Sequence, residues 1–413
     1  MSERQPFLTT SEPNHGDARA QEETRTGTSP PGLPPRRSIL LRPDAWFLLG
    51  ILLLGMLTII VLANVTSATR GQPGTASTSA TQSPSVPPSV SRAAGAFREY
   101  PLPQSNSQVM RLVIDHQGRL WFGEMGRNYL AVFDPRTQTF QQMTPPQGRF
   151  GMMGMLVAPD DTIWFAEQYA NYIGHYFPTT GHFQIYPLPR LTVPDVSHPG
   201  KTLSLPSAPN DLALDAQGNV WFTELNADRL GRLDPRTGLM QHYPLAAKRS
   251  VQTLNPYGVT VDPEGMVWFT ELSNDRIGRL DPATGRIHFF TPPAPHAAPM
   301  EIATDAHGII WATTFNSGLL LRLDPRTGRF VPYNASLPGS AQGGGLYGLV
   351  VAASGDVWVT MLSENALARL DVAAGRFIYY RVPTENSEPL AIAMAPDQTL
   401  WFTEVDKIGM LRP

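Results

Sequence analysis

Seven tryptophans (Trp121, Trp164, Trp221, Trp268, Trp311, Trp358 and Trp401) each stand in a short apolar run such as Val-Trp-Phe-Thr-Glu or Ile-Trp-Phe-Ala-Glu. Their spacings are 43, 57, 47, 43, 47 and 43 residues. A period in the forties made of short β-type segments predicts an all-β chain, a seven-bladed β-propeller with one four-stranded blade per repeat. One repeat shows the logic. Asn210 to Asp215 alternates and predicts an inner strand, and Gly218 supplies the positive φ of the tight turn that follows. Val220 to Glu224 is rich in β-branched and aromatic residues and predicts the second strand, with Arg229 to Leu233 as the third. Asp234-Pro235-Arg236-Thr237-Gly238 is a turn sequence. The outer strand then ends at His242-Tyr243-Pro244-Leu245, where proline suits an edge that needs fewer ladder donors.

The last repeat is one strand short. After Trp401 the chain has room for a third strand through Ile408-Gly409-Met410-Leu411 and stops at Pro413. The missing strand lies at the other end: Phe97-Arg98-Glu99-Tyr100-Pro101-Leu102-Pro103 copies Phe183-Gln184-Ile185-Tyr186-Pro187-Leu188-Pro189. This N-terminal strand is expected to close the last blade and so remove the exposed edges of an open array.

Ahead of the repeats the chain changes character. Residues 1–44 are polar, without hydrophobic period, and predict a disordered cytoplasmic tail. Residues 45–64 hold Ala-Trp-Phe-Leu-Leu-Gly-Ile-Leu-Leu-Leu-Gly-Met-Leu-Thr-Ile-Ile-Val-Leu-Ala, an uncharged stretch that predicts a single transmembrane helix. Arg36, Arg37 and Arg42 precede it and only Arg70 follows closely. The N-terminus is therefore expected in the cytoplasm, and the propeller outside the cell membrane. A cleaved signal peptide, with Arg36-Arg37 as a twin-arginine motif, is the alternative, and it exports the same domain. Residues 65–95 form a Ser/Thr/Pro-rich linker, and 96–413 the propeller. The net charge of −3 offers nothing to nucleic acid, and the absence of cysteine excludes thiol catalysis, disulfides and thiolate metal sites. The propeller is expected to be monomeric.

In an up-and-down blade the start of the inner strand and the end of the second strand share one face. Glutamate closes the second strand in five repeats (Glu124, Glu167, Glu224, Glu271 and Glu404), with Thr314 and Met361 in the other two. The repeated carboxylate has two readings: an acceptor for loop N–H groups, or a ring at the channel that binds a hard cation or a basic ligand. The metal- or ligand-binding candidates are Glu388, Glu404, Glu271 and Glu224, with Tyr257 and Asn210 at the inner-strand starts. His198 and His296 are the histidines whose loops reach that face, and they are the candidate loop bases. His198 lies in the longest inter-blade connection, about Arg190 to Ala208, a proline-rich loop and candidate lid.

The run Pro256-Tyr257-Gly258-Val259…Trp268-Phe269-Thr270-Glu271…Arg276-Ile277-Gly278-Arg279 resembles the virginiamycin B lyase (streptogramin lyase) family, and the resemblance extends over residues 97–413. It implies a seven-bladed propeller that opens a cyclic depsipeptide lactone by elimination, with carboxylates holding Mg²⁺ and a histidine as base. The family's site motif reads Glu-Pro-His-Gly-Ile, followed by a second glutamate. Here Glu388-Pro389-Leu390-Ala391-Ile392 and Glu404 keep both carboxylates, while leucine stands where the base belongs. The second motif histidine, in Pro-His-Ala-Ile, is also unmatched: Asn210, Tyr257, Met300 and Tyr347 occupy those places. The function expected from these residues is binding of an extracellular small molecule, peptide or protein on the carboxylate-lined face, with Mg²⁺ or Ca²⁺ as the ion. The alternatives are a Mg²⁺-dependent lyase of lactone-containing cyclic peptides and a gluconolactonase-like, metal-dependent lactone hydrolase.

Overall fold

The computed structural model describes residues 91–92, 95–147, 151–195, 197–198, 200–246, 254–337 and 344–413. The expected transmembrane helix at 45–64 and the tail before it lie outside the described residues. Among the described residues no helix is long and apolar enough to cross a membrane.

Seven four-stranded antiparallel units follow one another: blade 1 spans 109–143, blade 2 152–187, blade 3 209–244, blade 4 256–290, blade 5 299–334 and blade 6 346–381. Blade 7 takes three strands from 392–412 and its outer strand from Ala96–Pro101, which pairs antiparallel with Lys407–Arg412 from Ala96↔Arg412 to Pro101↔Lys407. The chain thus closes the ring as the duplicated Tyr-Pro-Leu-Pro segment predicts. Tyr100 packs its ring 4.9 Å from Phe133 of blade 1 and 5.8 Å from Trp401, so the closing strand also seals the seam between first and last blades.

Two connections depart from expectation. Within the expected linker, Ser91–Arg92 forms a short strand running parallel to Ile378 and Tyr379 at the edge of blade 6. The long connection between blades 2 and 3 is not structureless. Leu191–Pro194 and Thr202–Leu205 pair as a hairpin, because Leu191 opposes Leu205 and Val193 opposes Leu203, putting the apolar residues on one side. Its prolines, at the strand ends, disguise it in the sequence.

The tryptophans are wedges between blades. Trp221 shares a core with Val259, Val267 and Phe269 of blade 4, Trp358 with Leu400 and Phe402 of blade 7, and Trp401 with Val109 and Phe122 of blade 1. Each such core buries the aliphatic face of one blade against the next, which is where the ring gains its hydrophobic stabilisation. The indole N–H is not left unpaired. Trp221 Nε1 donates to Asp215 Oδ2 at 3.0 Å, while Asp215 Oδ1 accepts the N–H groups of Gln217 and Asn219 in the turn. Arg232 lies over the same indole, 5.6 Å from the ring centre.

In blades 1 to 6 the inner strand bulges after its first residue. Pro209 opposes Glu224, but the next paired residue, Leu212, opposes Phe222. The bulge takes the Asp211 N–H out of the ladder, and Thr223 repairs it. Its Oγ1 accepts the Asp211 N–H at 3.1 Å and donates to the Tyr257 carbonyl of blade 4 at 2.8 Å. Thr270, Thr313 and Thr360 make the same link to blades 5, 6 and 7. The threonine of Trp-Phe-Thr is therefore an inter-blade clasp. Adjacent inner strands come so close here that a Cβ on Gly348 would run into the Leu390 carbonyl.

Candidate functional site

Three of the repeated glutamates are held within their own blades. Glu224 turns outward along its own blade, where Arg229 Nε and Nη2 grip its two oxygens at 2.7 Å each and His242 Nδ1 lies 2.7 Å from Oε1. Burial alone would raise its pKa, but the hydrogen bonds from His242 and Arg229 hold it below the ordinary value. Glu271 is held by Arg276 Nε at 2.9 Å and Nη2 at 2.6 Å, and the guanidinium also covers Phe289, 3.9 Å from its ring centre. Glu124 takes Ser107 Oγ at 2.7 Å and Gln142 Nε2 at 2.5 Å. Of the two readings of the repeat, a carboxylate ring or acceptors for loop N–H groups, Glu124, Glu224 and Glu271 follow neither: their partners are side chains, and they act as separate pins within their own blades. Strand order explains it: the second strand lies between the inner and third strands, so its last side chain meets partners from the third and outer strands.

Two glutamates lack such partners. Glu167 is fully buried with neither oxygen hydrogen-bonded, because blade 2 offers Tyr172 where blade 3 offers Arg229, and its pKa is pushed up to about 8 by burial. Glu404 is similar: Lys407 is spent on Glu99 at 2.7 Å and Ser387 on Asn365 at 2.8 Å. Burial, reinforced by Glu99 and opposed by Lys407 and Ser387, raises the Glu404 pKa to about 7. Glu388 is half-buried, with a positive φ of 50° and a pKa raised by burial.

These raised values set a pH dependence. Below pH 4.5 Glu167 is neutral in the folded and unfolded chains alike. Between 4.5 and about 8 the unfolded chain releases a proton that the folded one keeps, so stability falls as pH rises through that window. Urea unfolding at pH 5 and pH 8 is expected to show the loss, and Glu167→Gln to make it smaller. An identical loss in both proteins would contradict the assignment.

His198 and His296 are not brought to these carboxylates. His198 Nδ1 lies 2.8 Å from Asp195 in the hairpin, and His296, 93% exposed, has Asp275 at 4.0 Å. Asn210 is buried, accepting Gln168 Nε2 at 3.2 Å and donating to the Tyr257 carbonyl at 3.0 Å. Among the described residues no group of three or more His, Asp or Glu is placed to hold a metal ion.

The channel carries a different constellation, with Tyr257 its one anticipated member. Arg111 of blade 1 reaches across the axis to Asp211 of blade 3, with Nη2 to Oδ1 at 3.0 Å, and its Nη1 bonds Glu301 Oε2 of blade 5. Tyr257 of blade 4 and Tyr347 of blade 6 meet hydroxyl to hydroxyl at 2.6 Å. For Arg111, burial is outweighed by the two carboxylates, which hold its pKa well above normal. Glu301 is raised to about 7 by burial, opposed by Arg111 and reinforced by Asp211. A signal for this cluster does exist in the sequence. The third inner-strand position reads Arg111, Gly154, Asp211, Gly258, Glu301 and Gly348 around the ring, opposite charges alternating with glycine.

With this geometry in hand, the relatives are informative. The model of the virginiamycin B lyase family matches residues 201–340, from the hairpin through blade 5. No curated protein matches the chain in sequence. A solved streptogramin B lyase is 26% identical, with a TM-score of 0.67 over 77% of this chain and 97% of its own. A catalytically inactive histidine-to-alanine virginiamycin B lyase from Staphylococcus aureus, with quinupristin, is 25% identical, with a TM-score of 0.67 over 78% of this chain and 100% of its own. Fold, repeat and relatives agree: the chain is a virginiamycin B lyase-like seven-bladed β-propeller.

Proposed function

We propose that this chain is a binding propeller, tethered outside the cell membrane by residues 45–64, which takes an extracytoplasmic small molecule or peptide at the face where its inner strands begin and does not open it. One observation carries the reading. Where the lyase motif places a histidine base after Glu388-Pro389, Leu390 stands with its side chain buried, its carbonyl accepting Thr360 Oγ1 at 2.6 Å and the Gly348 N–H at 3.1 Å. An aliphatic side chain cannot accept a proton, and proton abstraction is what elimination requires. The same face favours an apolar ligand. The loops leaving the second strands carry half-buried Leu225, Leu272, Phe315, Leu362 and Val405 at one repeat position.

Glu388 and Glu404 support a second reading, a Mg²⁺- or Ca²⁺-dependent lyase or lactone hydrolase, since the chain keeps both carboxylates of the lyase motif there. One experiment separates all three. The full chain is incubated with quinupristin and either Mg²⁺ or Ca²⁺, and the mixture is resolved by chromatography and mass. The expected outcome is intact ring. A product of unchanged mass but altered retention would establish elimination, a product heavier by one water would establish hydrolysis, and either would overturn the binding-only reading.

A further inference from the structure

The channel charges do not balance: Arg111 supplies one positive charge, and Asp211 and Glu301 supply two negative ones. Asp211 is fully satisfied, its Oδ1 on Arg111 and its Oδ2 accepting the Val259 N–H at 3.0 Å. Glu301 is half satisfied. Its Oε2 holds Arg111, while Oε1, on a side chain 7% exposed, has no hydrogen-bond partner. A proton on Oε1 and a cation beside it are therefore rivals for the same atom. Blades 4 and 6, which flank Glu301, bring Tyr257 and Tyr347 together 2.6 Å apart. Only one of those hydroxyls can donate in that contact, so oxygen lone pairs remain available on a tyrosine pair near enough to feel the Glu301 charge.

We propose that the central channel is a binding site for one hard monovalent cation, Na⁺ or K⁺, held by Glu301 Oε1 with the hydroxyl oxygens of Tyr257 and Tyr347 as neighbouring donors. A single positive charge cancels the excess negative charge, whereas a divalent ion would leave an excess of the opposite sign in the same enclosed space. The donors are all oxygen, as hard cations require. The site lies on the axis and shares no residue with the pair Glu388 and Glu404. The bound ion would lock five inner strands through one cluster.

The test is thermal unfolding of the full chain in detergent at pH 8, in NaCl, KCl or choline chloride at equal ionic strength. Tm is expected to rise saturably with Na⁺ or K⁺ relative to choline, and to rise less at pH 6, where protons compete for Glu301. Glu301→Gln should abolish the response, and Glu388→Gln with Glu404→Gln should leave it intact. If Glu301→Gln does not fold, Tyr347→Phe is expected to raise the half-saturating cation concentration about threefold or more. Equal Tm in all three salts would overturn the site, as would a cation response that survives in Glu301→Gln or in Tyr347→Phe unchanged. A Tm that follows pH but not cation would assign the role to a proton instead.

Discussion

Arg111→Ala is expected to destabilise the propeller by about 3–5 kcal/mol, the range for removing one partner of a buried ion pair. The side chains of Arg111, Asp211 and Glu301 are only 15%, 11% and 7% exposed, so the carboxylates stranded by the substitution could not recover their hydration. The cost comes from what is left behind rather than from the contact itself. The triple substitution Arg111→Met, Asp211→Asn and Glu301→Gln should therefore regain most of the loss, because no net charge would remain in the channel. Urea denaturation of the single and triple variants measures both. A single variant within about 1 kcal/mol of wild type would mean that the channel is wetter than these burials imply.

Deleting residues 96–104 is expected to remove cooperative unfolding and promote aggregation, while deleting 1–95 should leave a soluble, cooperatively folding domain. The first deletion exposes all six residues of Lys407–Arg412 as an unpaired edge. It also strips Tyr100 from Trp401 and Phe133, and removes the Glu99 carboxylate that Lys407 holds at 2.7 Å. The ring would then be an open array whose end blades lack a partner. Size-exclusion chromatography and calorimetry of the two truncations distinguish the cases. An unchanged melting transition after loss of 96–104 would show that blade 7 does not depend on its borrowed strand.

The tryptophans, the Asp-Pro-Arg-Thr-Gly turns and the duplicated Tyr-Pro-Leu-Pro run all report local or nearest-neighbour physics. A turn needs its glycine, a second strand needs its β-branched and aromatic residues, and a blade needs a large wedge against the next. Those requirements recur in every unit, so repetition makes them readable. The threonine recurs with the tryptophan, yet its role as a clasp depends on a bulge that no residue announces. The closing strand was found because its sequence copies an outer strand elsewhere in the chain.

The glutamates show the limit. Glu224, Glu271, Glu124, Glu167 and Glu404 occupy one position in the repeat, and that position alone left two readings open, a loop N–H acceptor and a ring at the channel. Their environments are set by single residues on neighbouring strands: Arg229 and His242 for one, Tyr172 for another. No repeat pattern encodes those pairings, so identical letters became an ion pair in blade 3 and a buried group without a hydrogen-bond partner in blade 2.

Seven blades, their order and the place where the ring shuts follow from residue pattern alone, because they depend on periodicity and on short-range turn and strand chemistry. Folding the ring settled which side chains meet across the axis. Arg111 is separated from Glu301 by 190 positions, with Asp211 between them, and the three belong to alternate blades, so only closure brings them within hydrogen-bonding reach. The inner-strand bulge then aims them inward, and enclosure converts three ordinary surface-type residues into a buried charge cluster.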